Sequence, residues 1–182
     1  MRVLRAADRI ATAWKNGGGV TREVAIWPPN STFDDFDWRV SIAEVRSAGP
    51  FSVFENIDRI MLILKGRIAL DFAERSVELD SQSAPFAFAG DIACHGRPLD
   101  GAVMDLNVMT RRGRCTAKVE SLAHAQTEAS GPGVLIIATQ ASLIEIGTER
   151  GTLGTFDALA LGGDIAVRLH SGAGGLIAFT TV

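Results

Sequence analysis

Trp38-Arg39-Val40-Ser41-Ile42-Ala43 is the stretch on which the fold class turns. Apolar and polar side chains alternate one for one. Trp38, Val40 and Ile42 share one side and Arg39 and Ser41 the other, which is the period of a β-strand and not of a helix. If the apolar set packs against a second layer, the Arg39–Ser41 side faces either solvent or the lumen of a barrel. For an arbitrary strand solvent is the commoner outcome, because antiparallel sheets usually keep one wet face. Working outward, residues 20–27 alternate as well, with Val20, Val24 and Ile26 on one side. Residues 59–64 are apolar after Arg59, and Lys65-Gly66 predicts a hairpin into residues 67–72. Further strands are expected at 85–91, 102–109 and 115–120.

Residues 121–133 lack alternation and end in Gly131-Pro132-Gly133, so they are expected to connect two units. Beyond them, strands are predicted at 134–138, 142–146, 158–161, 165–169 and 176–181, with Gly162-Gly163-Asp164 splitting the third from the fourth. Short strands and glycine turns throughout predict an all-β sandwich or barrel. Residues 1–120 form the first expected unit and 134–182 a smaller second one, to which N-terminal strands could add. Gly90-Asp91-Ile92-Ala93 and Gly163-Asp164-Ile165-Ala166 match. They read either as an internal repeat or as a coincidence of two turns.

The chain has 182 residues, 47% hydrophobic and 21% charged, with a net charge of -3. This is ordinary globular composition, and its weakly acidic balance does not advertise nucleic-acid or anionic-membrane binding. Among eighteen basic residues only Lys15, Lys65 and Lys118 are lysines. The remaining arginines offer the planar fork that suits carboxylates and phosphates, although surface placement accounts for most of them. No apolar targeting segment or membrane span is read from the sequence, and Cys94 and Cys115 suit a reducing compartment, so a cytoplasmic protein is expected.

Three histidines and two cysteines leave little for a metal site. His95, His124 and His170 lie far apart, no His-x-His occurs, and no metal or other cofactor is expected. Asp91 and His95 read as a turn acid and an imidazole at the surface or a pocket edge. There is no Gly-x-Ser-x-Gly, and the glycines after Lys15 lack the Gly-Lys-Ser/Thr ending of a phosphate loop. Gly172-Ala173-Gly174-Gly175 reads as a turn.

Three segments remain. In Trp14-Lys15-Asn16-Gly17-Gly18-Gly19-Val20-Thr21-Arg22-Glu23, glycines permit close backbone approach beside a tryptophan. A plain turn fixed by Asn16, with Arg22 and Glu23 pairing locally, explains the glycines but not the tryptophan. Arg39 and Ser41 share a strand side. In Asp105-Leu106-Asn107-Val108-Met109-Thr110-Arg111 the same period joins Asp105 to Asn107. On facing strands these groups would make a polar pocket for a carboxylate or formamide, or a buried network that holds strand register.

These segments carry a resemblance. Trp14-Lys15-Asn16 with Gly19-x-Thr21-Arg22-Glu23, then Asp37-Trp38-Arg39-x-Ser41-Ile42-Ala43, then Gly49-Pro50-Phe51-Ser52-x-Phe54 with Arg59, then Pro85-Phe86-x-Phe88, then Asp105-x-Asn107-x-Met109-x-Arg111 resembles the HutD/Ves family. The resemblance implies a bicupin, two jelly-roll-like β-barrels in one chain without the usual metal ligands. It implies, for HutD-type members, a link to histidine utilisation through binding of a pathway intermediate, with urocanate, N-formylglutamate and formate as candidates. Ves-type members are linked to environmental stress. On that basis the expected function is binding of a small carboxylate metabolite. Arg39 would clamp the carboxylate, Ser41 and Asn107 would bond a formyl or amide oxygen, and Asp105 would accept an N–H or orient Arg39. Trp14 and Phe51 would wall the pocket, Asn16 belongs to the same set, and Arg22, Arg59 and Arg111 would stand at or near the mouth. No catalytic residue is expected. The alternatives are a metal-independent isomerase or hydrolase using Asp105 or His95, and a stress-related interaction protein whose polar cluster is structural. No nucleic acid or membrane partner is expected, and a homodimer stands as an open option.

Overall fold

The computed structural model describes residues 2–123 and 129–181. In chain order its strands are β1 (Arg2–Leu4), β2 (Ala11–Ala13), β3 (Gly19–Trp27), β4 (Trp38–Val45), β5 (Gly49–Pro50), β6 (Ile57–Lys65), β7 (Arg67–Asp71), β8 (Ser76–Asp80), β9 (Phe86–Ala89), β10 (His95–Pro98), β11 (Val103–Arg111), β12 (Cys115–Ala123), β13 (Ala129–Ala138), β14 (Ser142–Ile146), β15 (Glu149–Leu153), β16 (Ala158–Ser171) and β17 (Ala173–Thr181). One 3-10 turn, Ala6–Asp8, follows β1. There is no α-helix among the described residues, so the chain is all-β. Among the described residues no helix is long and apolar enough to cross a membrane.

The chain divides into two compact units, one of residues 10–115 and one of residues 1–9 with 116–182. The first holds a six-stranded sheet, β2-β3-β4-β11-β6-β9, and a four-stranded sheet, β5-β10-β7-β8. The second holds a seven-stranded sheet, β12-β17-β13-β16-β14-β15, with β1 added on β16. Arg2–Leu4 pairs antiparallel with residues 158–160, so the first strand of the chain belongs with its last third. Arg5 Nη1 and the Ala6 amide both donate to the Asp157 carboxylate at 2.7 Å.

Three local readings are corrected. Lys65-Gly66 does not close a hairpin: β6 pairs with β11 and β9, while β7 pairs with β10 and β8. Gly66, at φ +85°, turns the chain from one sheet into the other. A Cβ there would stand 3.0 Å from the Ala102 carbonyl, so only glycine meets both demands. Gly162-Gly163-Asp164 does not split two strands either. β16 runs through it, and its pairing with β13 shifts register nearby, so the glycines serve an irregular ladder instead of a turn. The described parts of 121–133 are strand, in β12 and β13; residues 124–128 lie outside the described residues. Alternation is not needed where neighbouring strands supply the backbone partners. The two Gly-Asp-Ile-Ala copies are thereby not equivalent, since Gly90-Asp91 is a turn after β9 and the other copy lies inside β16. Of Gly172-Ala173-Gly174-Gly175, only Gly172, at φ +96°, turns β16 into β17; the other three belong to β17.

The core of unit 10–115 lies between its two sheets. Val45, Met61, Ile63, Phe88 and Val103 of the larger sheet meet Ile68, Leu70 and Leu79 of the smaller, with Phe51 and Cys94 among them. In the other unit Val134, Ile136, Ile144, Leu153, Leu159, Leu161 and Val167 form an aliphatic core.

Candidate functional site

β4, β11 and β6 are adjacent and antiparallel, and their register builds the site in rungs. Met109 lies opposite Arg39 on one side and Arg59 on the other. Asn107 lies between Ser41 and Met61. Asp105 lies between Ala43 and Ile63. Residues directly opposite share a face, so Arg39, Ser41, Asp105, Asn107 and Arg59 all project from one side of the sheet. It is the side of Met61, Ile63 and Phe88, which packs toward the four-stranded sheet. The solvent-facing outcome for Arg39 and Ser41 is thus overturned. Arg39, Ser41, Arg59, Asp105 and Asn107 are all buried, and so are Val40 and Ile42 on the opposite face. With both faces of the strand covered, its polar side is held largely out of water.

Within the cluster the two arginines have definite partners. Arg39 Nε donates to Glu23 Oε2 at 2.9 Å, and its Nη1 to Ser41 Oγ at 3.4 Å. Arg59 Nε donates to Asn107 Oδ1 at 3.2 Å. The Arg59 guanidinium lies 4.9 Å from the Phe88 ring, 5.6 Å from Phe51 and 5.8 Å from Phe54. These rings favour a cation by their negative faces, in a setting that has removed its water. Burial pulls Arg59 below its ordinary pKa, while Asp105 and Cys94 push it back up. Burial pushes the Asp105 carboxyl up to about 7, with Arg59 holding it down. The Cys94 thiol goes up to about 11, again by burial and against Arg59.

What is unpaired indicates what the cluster can receive. Among the described residues, no hydrogen bond forms to the Asp105 carboxyl, from Arg59 Nη1 or Nη2, or from Arg39 Nη2. The only fully enclosed side-chain nitrogen or oxygen without a partner among them is Arg9 Nε, in the other unit. The free Arg59 and Arg39 nitrogens and the Asp105 oxygens are therefore not sealed off. They offer forked cationic donors beside a carboxyl, the arrangement that binds a planar carboxylate in a site of low dielectric.

The remaining expected residues divide. Phe51 is buried and walls Arg59, and Trp14 stands behind it, edge-on with ring centroids 5.9 Å apart, its Nε1 donating to Thr21 Oγ1 at 2.8 Å. Arg59 is an inner residue, 6% exposed, and not one at the mouth. Arg22 is not brought to the cluster: it lies opposite Ile42 and so projects from the other face. It does not pair with Glu23, which serves Arg39 instead. Asn16 is exposed, and its Oδ1 accepts from the Gly18 amide at 2.9 Å, as in the plain-turn reading. Arg111 is spent on backbone: its Nε donates to the Phe36 carbonyl at 2.8 Å and its Nη2 to those of Asp34 and Phe33 at 3.0 and 3.4 Å. It positions the segment that carries Phe33, whose half-exposed ring lies 4.8 Å from the Arg39 guanidinium and stacks on Phe54 at 5.6 Å. His95 lies opposite Asp71 while its neighbour Gly96 lies opposite Leu70, so the imidazole projects away from the core and has no part in the cluster. Asp91 is ion-paired with Arg112. No group of three His, Cys, Asp or Glu residues suited to a metal occurs among the described residues.

Sequence reasoning missed Glu23, Phe33 and Cys94 and gave Phe54 and Phe88 no role. The register shift after Glu23 puts Ile26 opposite Arg39 while Val20 lies opposite Glu44, so the expected common side of Val20 and Ile26 does not hold, and only the pairing of β3 with β4 sets Glu23 beside Ser41. Phe54 and Phe88 stood in quoted motifs, and only the pairing of Phe88 with Arg59 shows their use.

Comparison with known proteins decides the family. The HutD family model matches residues 6–179. The chain belongs to the HutD family. A structure of HutD from Pseudomonas fluorescens SBW25, in a formate condition, is 27% identical with a TM-score of 0.85, over 100% of this chain and 98% of that one. A conserved protein of unknown function from Pseudomonas aeruginosa PAO1 is 30% identical with a TM-score of 0.87, over 98% and 97%. Protein Ves of Citrobacter koseri is 41% identical over 108 residues, 58% of this chain. The match spans only 56% of that relative's length. A cupin 2 conserved barrel domain protein from Leptotrichia buccalis, 7% identical with a TM-score of 0.58 over 94% and 92%, makes the all-β fold cupin-like.

Proposed function

We propose that this HutD-family chain binds a small carboxylate intermediate of histidine catabolism, without a metal, and so modulates histidine utilisation. Urocanate, N-formylglutamate and formate are the candidates. One observation carries the reading. Two arginines stand inside a sheet sandwich with terminal nitrogens unpaired, beside Asn107 and Ser41, and a buried cation without a full set of partners favours an arriving anion. The architecture proposed is a bicupin in which unit 10–115 carries the site. In the other unit the cluster from Val134 to Val167 is aliphatic, and the buried carboxylate there, Asp157, is already bonded by Arg5, Ala6 and Gly154.

The test is thermal shift at pH 6.5 with millimolar urocanate, N-formylglutamate and formate. At least one is expected to raise Tm. Arg59→Met and Arg39→Met are expected to fold and to lose that shift. No stabilisation by any of the three sinks the reading, and variants that lose stability while keeping the shift make the arginines structural. One observation favours a second reading, a metal-independent enzyme. A carboxyl pushed up to about 7 by burial, beside arginine nitrogens without partners, meets the requirement for a general acid or base at Asp105. Product formed from these acids in the presence of chelator, and abolished in Asp105→Asn, would establish it.

A further inference from the structure

Binding of an anion at this site raises a question of charge. Two guanidiniums face the inner cluster, Arg39 and Arg59, and two carboxyls, Glu23 and Asp105. Glu23 is ion-paired to Arg39 at 2.9 Å and is half exposed. Arg59 has no carboxylate bonded to it, and Asp105 is the acid whose field acts on it most. With Asp105 ionised the inner groups carry no net charge. An arriving carboxylate would then share Arg59 with a second carboxylate in a largely buried setting, where like charges are poorly screened. Two like charges cannot both persist there, and one carboxyl must take a proton.

We propose that the site takes up its carboxylate ligand together with one proton, which rests on Asp105. This rests on the anion-site reading above. The ligand keeps its charge because it receives the charge-assisted bonds of the guanidiniums. Asp105 takes the proton because it is 2% exposed and accepts no hydrogen bond from the described residues. Its protonated oxygen becomes a donor to the ligand.

The surroundings leave no other group to do this. From β4 come Ala43, Ser41 and Arg39; from β3, Glu23; from β6, Ile63 and Arg59. The four-stranded sheet presents Ile68, Leu70 and Leu79, which do not titrate. Cys94, beside them, is already protonated, its thiol pushed up to about 11. His95 projects from the opposite face. Asp105 alone is poised, its carboxyl near 7 before any ligand arrives.

Formate, as the simplest monoanion, is titrated into the full chain from pH 6 to 9 at constant ionic strength. Kd is expected to be flat below pH 7 and to rise about tenfold per pH unit above it. In weakly buffered solution at pH 8, close to one proton should be taken up per formate bound, read with a pH indicator. Asp105→Asn should lose the pH dependence. Should that variant fail to fold, the proton count on the unaltered chain decides. A flat Kd from pH 6 to 9, or no proton uptake, overturns the coupling and leaves the anion site standing. No binding of formate, urocanate or N-formylglutamate at any pH overturns the site reading, and the coupling with it.

Discussion

Asp105 is held in a state that an isolated aspartate would not keep. Its carboxyl is pushed up to about 7, so between its unfolded pKa of about 3.9 and 7 the folded chain holds a proton that the unfolded chain has released. Stability from this group is therefore greatest at low pH, falls as pH rises through that window, and levels off above it. Asp105→Asn removes the slope. Between pH 4 and pH 8 its stability relative to the unaltered chain should change by on the order of 3 kcal/mol in the variant's favour, read by urea denaturation. No change in that difference would mean that the carboxyl is ionised in the fold. Arg59 and Arg39 contrast with it as residues. One is ringed by Phe51, Phe54 and Phe88, and the other is tied to Glu23 near the edge of the cluster. The same side chain thus has a mostly aromatic environment in one case and an ionic one in the other.

At the scale of elements, the β3–β4 connection and β10 hold the walls. Arg111, from the end of β11, donates to three carbonyls between Phe33 and Phe36 and so fixes where the Phe33 ring stands over Arg39. Lysine keeps the charge but loses the fork. Arg111→Lys should speed amide exchange at residues 33–36 and raise the ligand off-rate, with the cluster's own hydrogen bonds unchanged. Equal exchange in the two proteins would show that the tether carries no weight. On β10, Gly96 leaves room for Phe51: a Cβ there would stand 2.6 Å from the Phe51 ring. Gly96→Ala should cost about 1–3 kcal/mol by overpacking and weaken ligand binding by moving the ring beside Arg59. Denaturation and thermal shift on one preparation check both.

At the scale of the whole molecule, the two units differ in what fills them. One holds the Arg39, Arg59 and Asp105 cluster beside aromatics, and the other an aliphatic cluster with Asp157 tied to Arg5. Ligand-induced protection from hydrogen exchange should therefore appear in β4, β6 and β11 and be absent from β13 and β14. Removal of residues 2–9 strips β1 from β16 and the Arg5 and Ala6 donors from Asp157. Faster exchange at residues 158–160 is the expected result, and unchanged exchange there would dismiss β1 as a stabilising strand. The sequence by itself determined the all-β class, since the period of two at 38–43 and 103–111 admits no helix. It also determined the family and the joining of Asp105 to Asn107 and Arg39 to Ser41. Only the tertiary structure decided that this polar side faces inward, because a strand's own period does not say which side a second sheet will cover. It decided that Arg22 lies on the far face and that Glu23 serves Arg39, because the pairing of β3 with β4 sets which side of β3 meets the Arg39 side, and no local pattern encodes that pairing. It placed Arg59 beside Asn107, since the pairing of β6 with β11 joins residues 48 positions apart, a contact that no local pattern encodes.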